Sequence, residues 1–180
     1  MDSRHNSSII VLVGLSGSGK STVGHAAALR LGWRFVDLDH EIERRTGITI
    51  SEIFSTHGEA YFRGLEGDLT TELLSKEQRR LMLASGGGWV TNSAATELAL
   101  GESHTIYLKV RPETALARIG SERNRRPLLQ GSEPLESLHR LLREREGYYN
   151  QAHSVIDTDV LDLQCVINEI VRLASVDLAE

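Results

Sequence analysis

The chain has 180 residues, a formal charge of −5 at pH 7 and 40% hydrophobic residues, which is the composition of one soluble globular domain. A single cysteine, Cys165, excludes an internal disulfide, and no window reaches the roughly 18 apolar residues of a membrane span. Eight of the 17 arginines lie between Arg111 and Arg145, and such a cluster in an acidic chain favours a small anionic ligand over nucleic acid. We expect a cytoplasmic, monomeric, single-domain protein (residues 1–180) that binds neither nucleic acid nor a membrane.

Five short apolar runs predict β-strands. They are Ile9–Val13, Phe35–Leu38, Leu81–Ala84, Thr105–Val110 and Val155–Asp157. Helical patterns occur between most of these runs, and parallel strands need such crossover connections. The alternation therefore predicts an α/β fold of three layers, with a five-stranded parallel sheet and helices on both faces.

Seven segments are predicted to be helical from their spacing and end signals. They are Ser21–Leu31 closed by Gly32, Glu41–Arg45, Ser51–Phe54 with Ser51 as N-cap, Glu59–Leu74, Glu113–Ile119 after Pro112, Leu135–Tyr149 and Leu161–Leu173. The last helix has an apolar stripe that includes Leu163, and Cys165 is expected to be buried with it. Residues 120–131 are polar, rich in arginine and without periodicity, which predicts a mobile lid.

A glycine-rich segment joins the first predicted strand to the first helix. Gly14–Ser21 reads GLSGSGKS, which is the phosphate-loop spacing G-x-x-x-x-G-K-S in the required strand–loop–helix context. Glycines let backbone N–H groups surround an anion, and the helix N-terminus adds a favourable dipole. Lys20 can then reach the β- and γ-phosphates, and the Ser21 hydroxyl can bind Mg²⁺. The segment predicts a P-loop NTPase fold that binds a nucleoside triphosphate.

Two aspartates, Asp37 and Asp39, end the second predicted strand. Strand alternation would point both carboxylates to one face, at the edge where open parallel sheets bind ligands. We expect Asp37 to order the water shell of a metal ion, and Asp39 to accept a hydrogen bond or proton from an attacking hydroxyl. The alternative is a solvated strand end at which Asp39 caps the next helix.

Several motifs in order, spread from Ile9 to Thr158, resemble those of the shikimate kinase family. Besides the phosphate loop, they are an Asp-x-Asp segment, a Gly-Glu-x-x-Phe-Arg-x-x-Glu motif, a triple glycine, a lid sequence Arg-Pro-Leu-Leu and an Arg-x-x-x-Tyr pair. In this chain they lie at Asp37–Ile50, Gly58–Glu66, Gly86–Gly88, Arg126–Leu129 and Arg145 with Tyr149. The resemblance implies an ATP- and Mg²⁺-dependent kinase that phosphorylates the 3-hydroxyl of shikimate, a step of aromatic amino acid biosynthesis.

The resemblance also implies roles for individual residues. Those expected to bind shikimate are Asp39, Arg63, Gly86, Gly87, Gly88 and Arg145. Those expected to bind ATP are Gly17, Ser18, Gly19, Lys20, Ser21, Thr22, Arg118 and Arg126, with Mg²⁺ near Ser21 and Asp37. The expected catalytic residues are Lys20, Asp39 and Arg126. The chemistry agrees, because two arginine forks suit a carboxylate and glycines let the backbone approach a ring closely.

The chain also departs from the family pattern, and two alternatives stay open. The spelling of the phosphate loop is also typical of gluconate kinases, and a nucleotide-binding regulatory module without catalysis is the other alternative. Trp89 stands where the family has a small residue, so that it is either part of the core or a wall of the acceptor site. One extra residue lies between Arg118 and Arg126, and no arginine follows Thr158 where the family has one near the adenine.

Overall fold

Five parallel strands form one sheet in the order β2–β3–β1–β4–β5. The computed structural model describes residues 8–75, 80–120 and 133–176. The strands are β1 (Ile9–Val13), β2 (Arg34–Asp37), β3 (Leu81–Ala84), β4 (His104–Lys109) and β5 (Ser154–Asp157). Central β1 is buried along its whole length, as its continuous apolar run predicts. The predicted parallel sheet of five strands is confirmed.

Seven α-helices lie in the described ranges, and they cover both faces of the sheet. They are α1 (Lys20–Leu31), α2 (Leu38–Thr46), α3 (Ile50–Ser75), α4 (Ser93–Glu102), α5 (Pro112–Ile119), α6 (Pro134–Tyr149) and α7 (Leu163–Val176), with a 3₁₀ turn at Trp89–Thr91. As predicted, Gly32 closes α1 and Pro112 begins α5. The predicted lid, apart from Gly120, lies outside the described residues.

Alternate residues of β1 separate two apolar clusters. Ile10 and Leu12 pack with residues of α1 and α7, whereas Val11 and Val13 pack with residues of α3 and α4. All four side chains are at most 4% exposed. The three predicted layers are therefore present, and the carboxyl ends of β1, β2 and β3 meet at one edge of the sheet.

Helix α3 begins one residue before the predicted N-cap. Thr49, not Ser51, caps it: Thr49 Oγ1 accepts a hydrogen bond from Glu52 N at 3.2 Å, and Glu52 Oε2 accepts one from Thr49 N at 2.7 Å. This reciprocal pair is a capping box, and the T-x-x-E spacing was its signal. Gly58, with φ 81° and ψ 170°, interrupts the helix between the two segments that the sequence predicts separately.

Two sequence-based expectations about helices are wrong. Helix α4 is absent from the prediction because its alanine-rich sequence has no clear apolar stripe. The signal that could have revealed it is the N-cap, Asn92, whose side chain accepts a hydrogen bond from Ala95 N at 3.1 Å. Cys165 is exposed rather than buried, and Leu163 of the same helical turn is 57% exposed. Within the described ranges, every helix is too short or too polar to cross a lipid bilayer.

Candidate active site

The phosphate loop, residues Gly14–Ser21, turns from the end of β1 into α1. A β-carbon on Gly17, whose φ is +85°, would stand 2.5 Å from the carbonyl oxygen of Ala115. Only glycine fits both the backbone conformation and the space, so the sequence prediction for this turn has a steric reason. Lys20 Nζ donates to the carbonyl oxygens of Gly14 and Leu15 at 2.8 and 3.0 Å, which holds the ammonium group inside the loop.

Ser21 and Asp37 are brought together from α1 and the end of β2. The Ser21 hydroxyl donates to Asp37 Oδ2, and Asp37 Oδ1 accepts from His40 N at 3.1 Å as the N-cap of α2. A hydroxyl beside a carboxylate is the hard-oxygen donor set that Mg²⁺ prefers, next to a loop shaped for phosphates. The residues present therefore fit a magnesium ion.

The expected strand geometry of the two aspartates is wrong. The strand ends at Asp37, α2 begins at Leu38, and Asp39 lies in the first helical turn. Asp37 is also the residue that caps α2, which the sequence analysis considered only for Asp39. Asp37 adopts the N-cap conformation and ends the strand, because its side chain accepts a hydrogen bond from a backbone N–H of the first helical turn.

The two aspartates still face one cleft, although not as members of one strand. The cleft has a volume of about 530 Å³. Its walls include the whole run Gly17–Thr22 together with Asp37, Asp39, Gly87 and Arg118. The Arg118 guanidinium is fixed at one wall, because it donates to Oγ1 and the carbonyl oxygen of Thr158 at 2.9 and 2.6 Å. The predicted ATP-binding residues of the described ranges thus share one cavity, while Arg126 lies outside those ranges.

Arg63 and Arg145 reach the loop after β3 from two different helices. Arg63, on α3, donates to Glu66 Oε2 at 2.5 Å and to Glu59 Oε1 at 2.9 Å. Arg145, on α6, is 6% exposed and donates to the carbonyl oxygen of Gly87 at 3.1 Å. Gly87 also lines the cleft, so it connects the arginine pair with the phosphate loop.

The carboxylate of Glu66, which pairs with Arg63, is fully buried. Burial raises its pKa to about 7, although Arg63 acts in the opposite direction. The nearby charge of Asp39 raises the pKa further, and that of Arg145 lowers it. The second arginine partner, Glu59, is 48% exposed.

The glycines after β3 make room for side chains of the protein itself. A β-carbon on Gly86 would stand 2.5 Å from Glu66 Oε1 and 2.7 Å from Asp39 Oδ1. One on Gly88 would stand 2.2 Å from Arg63 Nη2. From the sequence, these glycines are expected to let the backbone approach a ligand ring; in the structure, Gly86 and Gly88 make room for charged side chains of the protein.

Two residues of this region had no assigned role in the sequence analysis. Glu66 stands three residues after Arg63 on the same helix face, and that spacing was the available signal. Tyr149, named above only as part of the Arg-x-x-x-Tyr pair, is buried and donates its hydroxyl proton to the carbonyl oxygen of Gly87. Trp89 is part of the core, 1% exposed, with its Nε1 donating to Thr70 Oγ1 at 2.8 Å.

Comparison with known proteins gives one consistent family. A family model described as shikimate kinase matches residues 16–175. A shikimate kinase from Moorella thermoacetica is 43% identical over 161 residues, which are 89% of this chain and 91% of that protein. The structure of a shikimate kinase from Acinetobacter baumannii in complex with shikimate matches with a TM-score of 0.89 and 37% identity, over 98% of this chain and 97% of that one. A gluconokinase from Sinorhizobium meliloti, with a TM-score of 0.55 and 23% identity, shares the fold alone.

Proposed function

The chain belongs to the shikimate kinase family, and we propose that it transfers the γ-phosphoryl group of ATP to the 3-hydroxyl of shikimate. The products are shikimate 3-phosphate and ADP, in a step of aromatic amino acid biosynthesis. The observation that carries the proposal is a cleft that joins the phosphate loop to Asp39 and Gly87, beside the buried Arg145 and the partly buried Arg63. We further propose that the chain acts as a cytoplasmic monomer of one domain, residues 1–180, with neither nucleic acid nor a membrane as partner.

ATP is held by the residues of the phosphate loop. The backbone of Gly17, Ser18 and Gly19 surrounds the phosphates, and the Lys20 ammonium, now bound to loop carbonyls, turns to the β- and γ-phosphates. Ser21 and Thr22 lie in the first turn of α1, whose N-terminus faces the same anion. Arg118, fixed by Thr158, lies at the wall that receives the base.

Mg²⁺ is the metal that the donor set of Ser21 and Asp37 fits. When bound beside ATP, it neutralises charge on the β- and γ-phosphates. Ser21 would offer its hydroxyl oxygen, and Asp37 would hold the water shell while it keeps its place as the N-cap of α2.

Shikimate is held at its carboxylate and at its reacting hydroxyl. Arg63 and Arg145 offer two guanidinium forks to the carboxylate, which suits bidentate hydrogen bonding. Gly86, Gly87 and Gly88 form the floor between these arginines and the phosphate loop. Asp39 accepts a hydrogen bond or proton from the 3-hydroxyl.

Transfer requires little covalent chemistry from the protein, because the reaction is an in-line displacement helped mainly by positioning and charge. Asp39 orients the hydroxyl toward the γ-phosphate, and Lys20 stabilises charge on the group in transfer. Arg126 contributes a second positive charge, and closure of the lid, residues 120–131, excludes water as a competing acceptor.

A coupled assay of ADP release with shikimate and with gluconate tests this function. We expect turnover with shikimate and background hydrolysis alone with gluconate. Turnover with gluconate and none with shikimate would support the sugar-acid alternative. Asp39→Asn separates the enzyme from a regulatory module, because undiminished phosphoryl transfer in this variant would contradict the role given to Asp39.

A further inference from the structure

Charged side chains face Glu66 from three helices. Arg63 acts on it from its own helix, α3, Asp39 from α2 and Arg145 from α6, while the partly exposed Glu59 of α3 and the buried Tyr149 of α6 lie near the two arginines. The loop after β3 contributes only glycines to this cluster. Tyr149 stays neutral, because burial raises the pKa of its hydroxyl and that hydroxyl donates to Gly87. Glu66 itself is 0% exposed.

With Glu66 ionised, the charges that act on it balance without a ligand, leaving aside Glu59, which pairs with Arg63 but is 48% exposed and screened by water. Arg63 and Arg145 carry two positive charges, and Asp39 and Glu66 carry two negative charges. A substrate carboxylate that binds the two arginines adds a third negative charge to a place with little water. An unbalanced buried charge is costly, and a carboxyl group in that position takes up a proton instead.

The geometry singles out Glu66 as the group that accepts this proton. Only Oε2 is paired with Arg63; within the described residues, Oε1 is buried without a hydrogen bond. Oε1 and Asp39 Oδ1 both lie within 2.7 Å of the point where a β-carbon of residue 86 would stand. A proton on Oε1 therefore creates a donor where two carboxylate oxygens converge, without breaking the pair with Arg63.

We propose that Glu66 takes up one proton when shikimate binds, so that affinity for the substrate depends on pH through this residue. The proposal rests on the proposed function, since it requires shikimate to place its carboxylate between Arg63 and Arg145. Glu66 acts here as a positioning residue, because its protonation leaves the charges of both arginines available to pair with the substrate carboxylate.

The pH range follows from the ordinary behaviour of such a linkage. The pKa of Glu66 is about 7 in the free protein, and the added negative charge of the substrate carboxylate raises that pKa further. Below about pH 6 the free protein already carries the proton, so binding takes up none. Between the pKa of the free protein and the higher pKa of the complex, binding takes up about one proton, and the dissociation constant for shikimate rises about tenfold per pH unit.

Titration calorimetry of the wild type with shikimate alone tests the proposal. The binding heat is measured at pH 8 in three buffers of different protonation enthalpy, and the slope against that enthalpy gives the number of protons taken up. We expect a slope near one proton at pH 8 and near zero at pH 5.5. Binding heat with zero slope at pH 8 would overturn the inference, whereas the absence of any binding heat would count against the proposed function instead.

Two variants test the residue assignment. Glu66→Gln should bind with no proton uptake and with a flat pH profile, while Glu59→Gln, which removes the exposed partner of Arg63, should keep the wild-type slope. Uptake that persists in Glu66→Gln would assign the proton to another group and overturn the proposal.

If Glu66→Gln fails to fold, infrared difference spectra of the wild type with ¹³C-carboxyl-labelled shikimate test whether Glu66 becomes protonated. A new band of a protonated protein carboxyl supports the proposal, and its absence contradicts it.

Discussion

At Gly86, the absence of one β-carbon allows Glu66 and Asp39 to approach the same point. Gly86→Ala should displace both carboxylates, and a shift of about 1 Å in a catalytic group can lower kcat/KM about 10²-fold. Gly101→Ala is the matched control, because a β-carbon there meets nothing within 4 Å of the described atoms. Steady-state kinetics with shikimate should separate the two variants, and equal activity would contradict this account of the triple glycine.

The stability of the free protein should report the ionisation of Glu66. Its pKa is raised in the fold from 4.5 to about 7, so its stabilising contribution is complete below pH 4.5 and is lost as pH rises through 7. Relative to Glu66→Gln, the wild type should lose about 3 kcal/mol of unfolding free energy between pH 4.5 and 8. Urea denaturation of both proteins across this range measures the difference, and a difference independent of pH would show that burial does not perturb Glu66.

Loss of Arg63 or Arg145 should weaken the binding of shikimate more than the binding of ATP. Arg63→Ala or Arg145→Ala removes a fork from the carboxylate, so KM for shikimate should rise at least tenfold while KM for ATP changes little. Initial rates with each substrate varied in turn provide both constants. A rise of equal size in the two constants would indicate that these arginines support the fold rather than bind shikimate.

The sequence predicted several of these residues and missed another for a physical reason. Lys20 and Ser21 follow from a local motif, because a phosphate loop is one contiguous segment, and Asp37 follows from the end of the next strand along the chain. Arg63 and Arg145 needed the family resemblance, since a helical arginine alone resembles a surface residue. Glu66 was missed because its burial arises from α2, α6 and the loop after β3, which no local pattern brings together.

Among the secondary-structure elements, the start of α3 offers a direct test of the capping box. Thr49→Ala removes the acceptor for Glu52 N and should cost about 1 kcal/mol, the usual value for loss of an N-cap. Ser51→Ala, at the cap position expected from the sequence, should change stability by less than about 0.5 kcal/mol. Urea denaturation of the two variants distinguishes the positions, and a larger loss for Ser51→Ala would refute the assignment.

The strands were predicted better than the helix boundaries, because each kind of element depends on different information. Buried parallel strands are continuous apolar runs, and β1 and β3 illustrate this directly. Helix α2 begins earlier than expected because Asp37 caps it, and a cap competes with strand continuation at the same residue. Helix α4 has little amphipathic pattern, so only its cap, Asn92, marked its start.

At the scale of the whole molecule, the strand order explains why the two proposed substrate sites lie side by side. Central β1 carries the phosphate loop, its neighbour β3 leads into Gly86–Gly88, and β2 beyond it ends at Asp37. In an open parallel sheet, ligands bind beyond the carboxyl ends of such strands, where the order of connections reverses. Neighbouring strand ends thus place a nucleotide site next to an acceptor site, which is what direct transfer between two bound substrates requires.

Direct transfer to one defined hydroxyl is the central claim, and phosphorus NMR of a single turnover tests it most directly. The protein, in slight excess over ATP, is mixed with Mg²⁺ and shikimate, quenched, and the phosphorus spectrum is recorded. We predict one equivalent of a phosphomonoester whose phosphorus couples to the proton at C3 of shikimate, with little inorganic phosphate. Inorganic phosphate as the main product, or a phosphomonoester on another hydroxyl, would contradict the account.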